Sequence, residues 1–475
     1  MAAAECGNPA TEQGEALMQR RTKYDKTRQC IKCREKQGNV VIRHAVYCKD
    51  CFFPTAISKF KRVLDPAIAL PGSGSKTKKG LKASGNLCIG FSGGLGSTVL
   101  LDLIALNYFS SEKTEWGPSR RKNGGTDHPR HEPVWEKASV CYVEVAGALP
   151  EARDRTEEIR AVFDQLAPFA DFVPLRLEDA FDDAWWARVG GKRIPSHLSV
   201  DLANEELFLS PNSSSTPIEA LRTYLASLPT QTAIPTAIQN LIRLLLLHTA
   251  HTTGSSHLLL GTSLTSLSIS LISSISQGGG FVVREETQEK WVNASKHVIL
   301  TRPLRDLGIK ECAIWAWWRG LRVVGKENYL GGKQGIGALT KNFIIGLERD
   351  YPSTVSTIAR TCGKLAPKDA SETRCALCER PAQPGVQEWK ERISIREFSA
   401  DKNTRAPPPA TEAGPGLTPH LCYACHTTLT SRSSRGAAIA STQSVGTTPL
   451  PTWVQSRLHM QSVVANFLLP DEDEA

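Results

Sequence analysis

Apolar positions along the chain fall into two alternating patterns. Leu87-Cys88-Ile89-Gly90-Phe91 is a short, unbroken apolar run, the pattern of a strand covered on both faces. From Thr98 to Phe109, Val99, Leu100, Leu103, Ile104, Leu106 and Tyr108 recur on a broad helical face, interrupted by Asp102 and Asn107. The same alternation continues. Ser139 to Val145 predicts a second strand, Glu151 to Leu166 a helix with Ile159, Val162, Phe163 and Leu166 on one face, and Phe172 to Leu177 a third strand. Pro217 to Leu228 and Pro235 to His251 predict helices, each with proline near its start, where the missing N–H is no loss. His257 to Gly261 predicts a fourth strand. It runs into a Ser/Leu/Ile-rich helix, Thr262 to Ile275, stopped by Gly278-Gly279-Gly280. Val298 to Leu304 predicts a fifth strand and Asp306 to Arg319 a Trp-rich helix. Strands alternating with helices imply an α/β fold built on a parallel sheet.

Composition divides the 475 residues further. Residues 1–70 form a basic, cysteine-rich head and residues 71–86 a Gly/Ser/Lys linker. Residues 87–360 form the α/β domain, with polar insertions at 110–133 and 182–216. Residues 361–475 form a second paired-cysteine module with a Pro/Ala-rich run (406–419), a Ser/Thr/Gly-rich stretch (432–451) and an acidic tail. No internal repeat appears beyond the two paired-cysteine modules.

The segment joining the first strand to its helix reads Gly90-Phe-Ser-Gly-Gly-Leu-Gly-Ser97. Ser92, Gly93, Gly94, Gly96 and Ser97 carry little side-chain bulk, so backbone can approach a phosphate, and N–H groups at a helix start attract anions. No Lys precedes Ser97, which excludes a Walker A loop, and Val99 stands where the dinucleotide fingerprint needs its third glycine. The alternative is a tight strand–helix turn without a ligand. In a parallel sheet such a turn lies at the carboxyl end of a strand, where ligands bind.

Thirteen cysteines change the picture. Cys30-Ile-Lys-Cys33 and Cys48-Lys-Asp-Cys51 are separated by the fourteen residues Arg34 to Tyr47, a spacing that can close a tetrahedral zinc site. Cys375-Ala-Leu-Cys378 and Cys422-Tyr-Ala-Cys425 form a second set across the longer gap Glu379 to Leu421. Closed four-Cys sites are structural, since no coordination position is left for substrate. Redox pairs or loose thiols are the alternative. Cys88, Cys141 and Cys312 read as small buried hydrophobes, and His248, His251 and His257 as structural or surface residues. Lys plus Arg number 57 against 48 Asp plus Glu, a net +9 that suits a polyanion such as RNA. Basic residues are dense in the first sixty positions, in Lys76-Thr-Lys-Lys79 and in Arg120-Arg-Lys122, although solvated loops would read the same way. Residues 1–19 lack a secretory apolar core, and Leu241 to His248, the most apolar stretch, is too short to cross a bilayer. A soluble, intracellular protein with no membrane partner is expected.

This order of parts resembles the cytoplasmic tRNA 2-thiolation protein 2 family, relatives of the PP-loop ATP-pyrophosphatase tRNA thiolases. The resemblance runs from about Cys30 to Phe467. It rests on Cys30 to Cys51, Phe91 to Ser97, Leu260-Gly-Thr-Ser-Leu-Thr-Ser266 with its following helix and triple glycine, and Arg302-Pro-Leu-Arg-Asp-Leu307. It implies a cytoplasmic subunit that pairs with a catalytic tRNA 2-thiolation protein 1 type partner and helps bind tRNA. The pair would move sulfur from a thiocarboxylated ubiquitin-related carrier to C2 of the wobble uridine in tRNAs for Lys, Glu and Gln, after ATP adenylates the uridine oxygen. Active PP-loop enzymes read Ser-Gly-Gly-x-Asp-Ser, and Gly96 stands at the Asp position. They carry a cysteine site before the fourth strand, where Thr232 to Arg243 has none, and Gly-His-Asn-x-Asp-Asp after it, where Gly261 to Ser266 has neither His nor acid. The resemblance therefore implies a non-catalytic subunit with structural zinc. Two rivals remain: an autonomous ATP-dependent tRNA sulfurtransferase and a zinc-based adaptor of the ubiquitin system.

Overall fold

The computed structural model describes residues 29–68, 83–109, 133–149, 152–191, 197–212, 215–293, 296–325, 335–365, 373–383, 385–386, 392, 415–431 and 447–467. The basic runs at Lys76 to Lys79 and Arg120 to Lys122, residues 1–19, the acidic tail, and most of the linker, the 110–133 insertion and the Pro/Ala- and Ser/Thr/Gly-rich stretches lie outside the described residues.

Six strands form the central sheet, in the order β5-β4-β3-β8-β10-β9. β3 (Asn86–Gly90), β4 (Ala138–Glu144), β5 (Asp171–Arg176), β8 (Ser255–Leu260) and β10 (Lys296–Thr301) are parallel, and β9 (Gln288–Asn293) closes the edge antiparallel to β10. This is the expected parallel α/β sheet with one addition. β9 escapes the hydrophobic pattern because Gln-Glu-Lys-Trp-Val-Asn is mostly polar, yet Glu289 and Trp291 are both buried. The expected strand at Val298 to Leu304 starts and ends earlier, since Arg302 leaves the ladder to pair with Glu286.

Side chains alternate across the sheet, and each face has its own core. Leu87, Ile89, Val140, Tyr142 and Leu259 meet helices α1 (Lys49–Ile68), α2 (Leu95–Ile104), α3 (Thr156–Leu166) and α8 (Ile309–Arg319). Cys88, Cys141, Leu258, Val298 and Leu300 meet α5 (Pro217–Ser227) and α6 (Ala233–Thr252) on the other face. From Leu244 to Ala250, α6 is buried throughout, which is why its sequence is apolar all round. α7 (Leu264–Ser276) packs outside this sandwich against α9 (Ile336–Asp350) and α10 (Pro352–Leu365).

The polar insertion expected at 182–216 is partly ordered. Asp182 caps a short helix, α4 (Asp183–Arg188), by accepting from Ala184 and Trp185 N–H. β6 (His197–Val200) and β7 (Leu209–Asn212) form a three-stranded sheet with β11 (Thr448–Pro449). The third strand comes from the far end of the chain, so local sequence could not announce this sheet. Before α1, β1 (Val40–Ile42) and β2 (Ala45–Tyr47) form a hairpin.

Candidate functional site

The strand order reverses between β3 and β8, so the carboxyl ends of these two strands form the switch point of the sheet. Gly90 and Leu260 are register partners there, and the expected phosphate turn follows Gly90. Phe91 N–H donates to Cys141 O (2.8 Å), and Ser97 and Thr98 hydroxyls both donate to Gly94 O (3.0 Å each). Ser92 N–H lies 3.3 Å from Ser97 Oγ, so the two serines tie the turn across its mouth. Gly94 caps α2 in extended conformation with no side-chain acceptor at the helix start, leaving N–H groups of the kind that attract anions.

Two contacts grip this turn. A Cβ built on Gly96 would stand 2.0 Å from Gly261 O, and one built on Gly261 would stand 2.4 Å from Ser97 N. The loops after β3 and β8 thus touch backbone to backbone, and only glycine fits at either position. On the other flank, Gly93 sits in the left-handed region (φ 67°) and its carbonyl accepts from Val324 N–H (3.0 Å) and Gly325 N–H (3.3 Å). Arg155, buried, fixes that strap by donating to Val324 O (3.0 Å) and Gly325 O (3.3 Å).

Among the described residues, the polar side chains near the turn make structural contacts. Ser263, after the fourth parallel strand, caps α7 by accepting from Ser266 N–H, and Thr265 Oγ1 donates to Glu348 (2.7 Å). Before that strand, Thr232 Oγ1 accepts from Ile336 N–H and Thr236 Oγ1 donates to Gln277 (2.7 Å). Asp102, the polar interruption on α2, is buried and accepts from Trp315 Nε1 (2.7 Å) and Arg319 (3.0 and 3.2 Å). Its role is to join α2 to α8. Cys88 and Cys141 face each other at 3.5 Å within the core, and Cys312 is buried on α8. His248 is enclosed by Trp185, Trp186, Trp291 and Trp453, and His257 binds Ala67 O (3.0 Å).

Both cysteine sets converge. In each, the four Sγ atoms lie within 4.8 Å of one another. Cys33 and Cys48 stand 3.8 Å apart, and Cys378 and Cys422 3.7 Å. A tetrahedral ion with metal–sulfur bonds of about 2.3 Å needs a sulfur–sulfur edge of about 3.8 Å, so either set can hold one metal ion. In the head, Cys30 and Cys33 lie on a tight turn, and Cys48 and Cys51 at the start of α1. Burial resists ionisation of Cys30, but N–H groups of Cys33, Cys48 and Lys32 bring its thiol down to about 6. Burial and the neighbouring thiols push Cys51 up to about 12.

The second set is wholly buried and belongs to the core beneath α6. Glu379, just after Cys378, adopts φ 56°, which turns its carboxylate inward. It accepts from Trp291 Nε1 (2.7 Å) and Arg457 Nε (2.9 Å), with His248 Nε2 at 3.5 Å. Burial opposes its ionisation, but His248 and Arg457 outweigh burial and hold the carboxyl well below its usual range. Arg243 of α6 donates to Cys378 O and to Glu289 of β9. Sequence reasoning missed Glu379, Arg243 and Arg457, because each acquires its role from partners tens to hundreds of residues away.

The sequence profile described as cytoplasmic tRNA 2-thiolation protein 2 matches residues 335–427, which span α9, α10 and both halves of the second cysteine set. Curated proteins of that name match far more of the chain. The Phaeosphaeria nodorum protein is 26% identical over 425 residues, 87% of this chain and 96% of its own length. The Bos taurus protein is 26% identical over 392 residues, 74% of this chain and 71% of its own length. Over most of its length the chain is similar to proteins named cytoplasmic tRNA 2-thiolation protein 2. Among solved structures, the U34-tRNA thiolase NcsA from Methanococcus maripaludis with its [4Fe-4S] cluster is 15% identical, with a TM-score of 0.46, and is covered over 98% of its length by 78% of this chain.

Proposed function

We propose that this chain is the non-catalytic subunit of a cytoplasmic tRNA wobble-uridine 2-thiolation heterodimer. Its similarity to proteins named cytoplasmic tRNA 2-thiolation protein 2 supports a role in tRNA 2-thiolation. In the finer reading, a catalytic tRNA 2-thiolation protein 1 type partner takes sulfur from a thiocarboxylated ubiquitin-related carrier. The partner installs that sulfur on tRNAs for Lys, Glu and Gln, and this chain scaffolds it and helps hold tRNA. The contact between Gly96 and Gly261 carries the non-catalytic part. An acid at position 96 would need the loop after β8 to retreat, and the loop's own residues, Gly261 to Ser263, supply neither thiol nor acid in compensation. The turn formed by Ser92, Gly93, Gly94, Gly96 and Ser97 keeps a phosphate-binding shape, so weak ATP or phosphate binding is compatible with it while adenylation is not assigned to it.

Cys30, Cys33, Cys48 and Cys51, and likewise Cys375, Cys378, Cys422 and Cys425, are assigned one structural zinc per set. Four thiolates at tetrahedral spacing, closed to substrate, favour zinc, and sulfurs this close leave room for one ion rather than a multinuclear cluster. Among the described residues no helix is long and apolar enough to cross a membrane. The test is reconstitution of thiolation with the catalytic partner alone and with this chain added, scored as wobble 2-thiouridine in tRNA. Dependence on this chain, unchanged in a Ser92→Ala variant, is expected. Equal thiolation with and without it, or AMP release by the isolated chain that Ser92→Ala abolishes, would overturn the reading.

A further inference from the structure

Trp317, on α8, is 75% exposed, the most exposed large apolar side chain of the described residues. A tryptophan gains most from burial, so a rigid one left in water marks a contact surface. This one is rigidly backed. Its ring stacks on Trp318 (6.1 Å, 25°), and Trp318 is wedged against Phe52 (5.2 Å, 76°) and Phe53 (6.0 Å). Phe53 in turn meets Trp315 edge-on at 4.9 Å. Phe52 and Phe53 directly follow Cys51, so the helix that carries this cysteine of the first set also supports the Trp pair.

Charge around this surface is net positive, although several of its cations are paired with acids. Residues 29–68 hold eight Lys and Arg against three Asp and Glu, an excess of five in a chain whose total excess is nine. Lys59–Glu311 (2.5 Å) and Arg62–Asp306 (2.6 Å) clasp that basic head to α8 and the turn before it. Arg322, half-exposed and only 3.9 Å from Glu158, lies five residues beyond Trp317, just before the strap at Val324 that rests on the phosphate turn. An exposed, pre-stacked aromatic ring beside a basic surface is what unpaired nucleobases require: a π-face to stack on and cations along the backbone.

We propose that Trp317 is a base-stacking platform for an unpaired nucleotide of RNA, held in place by Trp318 and the first cysteine-bearing helix. The inference rests on the tRNA reading above and supplies that reading with a residue.

The experiment titrates the full chain with an unmodified tRNA transcript and with a blunt RNA duplex lacking unpaired bases, across a salt series, for the parent, Trp317→Ala, Trp317→Phe and Arg322→Gln. Trp317→Ala should weaken tRNA binding roughly 5- to 150-fold, the range for loss of one stacked base, with an unchanged salt slope and unchanged duplex affinity. Trp317→Phe should restore most of the loss, and Arg322→Gln should flatten the salt dependence. Because the ring is exposed, both Trp317 variants should melt like the parent. Full tRNA affinity in Trp317→Ala overturns the platform, as does an equal loss for tRNA and duplex. Intact RNA binding with lost capture of the catalytic partner would reassign the face to a protein contact. If the parent binds no tRNA, alone or with its partner, the functional reading itself fails.

Discussion

Gly96→Asp would install the acid of the active PP-loop pattern that the turn resembles, and it is expected to damage the fold. The first atom added, Cβ, would lie 2.0 Å from the carbonyl oxygen of Gly261 and 3.2 Å from its carbonyl carbon. Both neighbours are backbone, and the oxygen must move by about 1 Å or more to reach ordinary contact with a carbon. That oxygen belongs to the link between β8 and α7, both pinned in the core, so the strain has no cheap outlet. Overpacking of this kind costs about 1–3 kcal/mol, and occasionally more, before the desolvation of the added carboxylate is counted. Gly96→Ala isolates the steric part, and Gly261→Ala tests the same seam from the other side, where Cβ meets Ser97 N at 2.4 Å. Gly94→Ala is the control: its Cβ meets only Ser92 Oγ, at 3.4 Å, in an extended conformation open to any residue. Denaturant unfolding of the four variants should show Gly96→Ala and Gly261→Ala destabilised by about 2 kcal/mol or more and Gly94→Ala within about 0.5 kcal/mol of the parent. Gly96→Asp should be worse than Gly96→Ala and form no AMP from ATP. A stable Gly96→Asp chain that gains adenylating activity would refute the reasoning.

Three further outcomes can be checked. Cys30→Ser and Cys422→Ser should each lower bound zinc by about one ion per chain by elemental analysis. Hydrogen exchange should rise only around β1, β2 and the start of α1 in the first, and through α6 and β9 in the second. Glu379→Gln should cost about 3–5 kcal/mol, because it strands Arg457 in a buried site, and the double variant with Arg457→Met should recover part of that loss in the same unfolding assay. Glu285 has its carboxyl pushed up from 4.5 to about 7 by burial and the neighbouring Glu289, against the opposing pull of Arg380, Arg374 and Arg243. A raised folded value means that its contribution is full below about pH 4.5 and is lost as pH rises to about 7. Glu285→Gln should therefore stabilise the chain by about 1–2 kcal/mol at pH 8, after discounting for its partial exposure, and leave stability at pH 4 unchanged.

Much of this protein was legible in its sequence because the relevant forces are local. The run Leu87 to Phe91 and the Val99-to-Tyr108 periodicity announced a strand and helix, and the small residues between them announced the turn. Paired cysteines two residues apart announced the knuckles. β9 was hidden because an edge strand hides one buried Trp among polar neighbours. The sheet formed by β6, β7 and β11 was hidden because its third strand comes from some 240 residues downstream.

By itself, then, the sequence determined which candidate ligand groups are present: a glycine-rich turn and two sets of four thiols. Tertiary structure decided what those parts can do together. It joined Cys375 and Cys378 to Cys422 and Cys425 across a long gap and buried them in the core on one face of the sheet, while the first set reaches the other face through α1. It pressed Gly96 against Gly261, which no spacing along the chain could show, because contact between two loops depends on the strand order of the sheet. The glycine at position 96 is a matter of sequence, and the absence of space for a side chain there is a matter of packing.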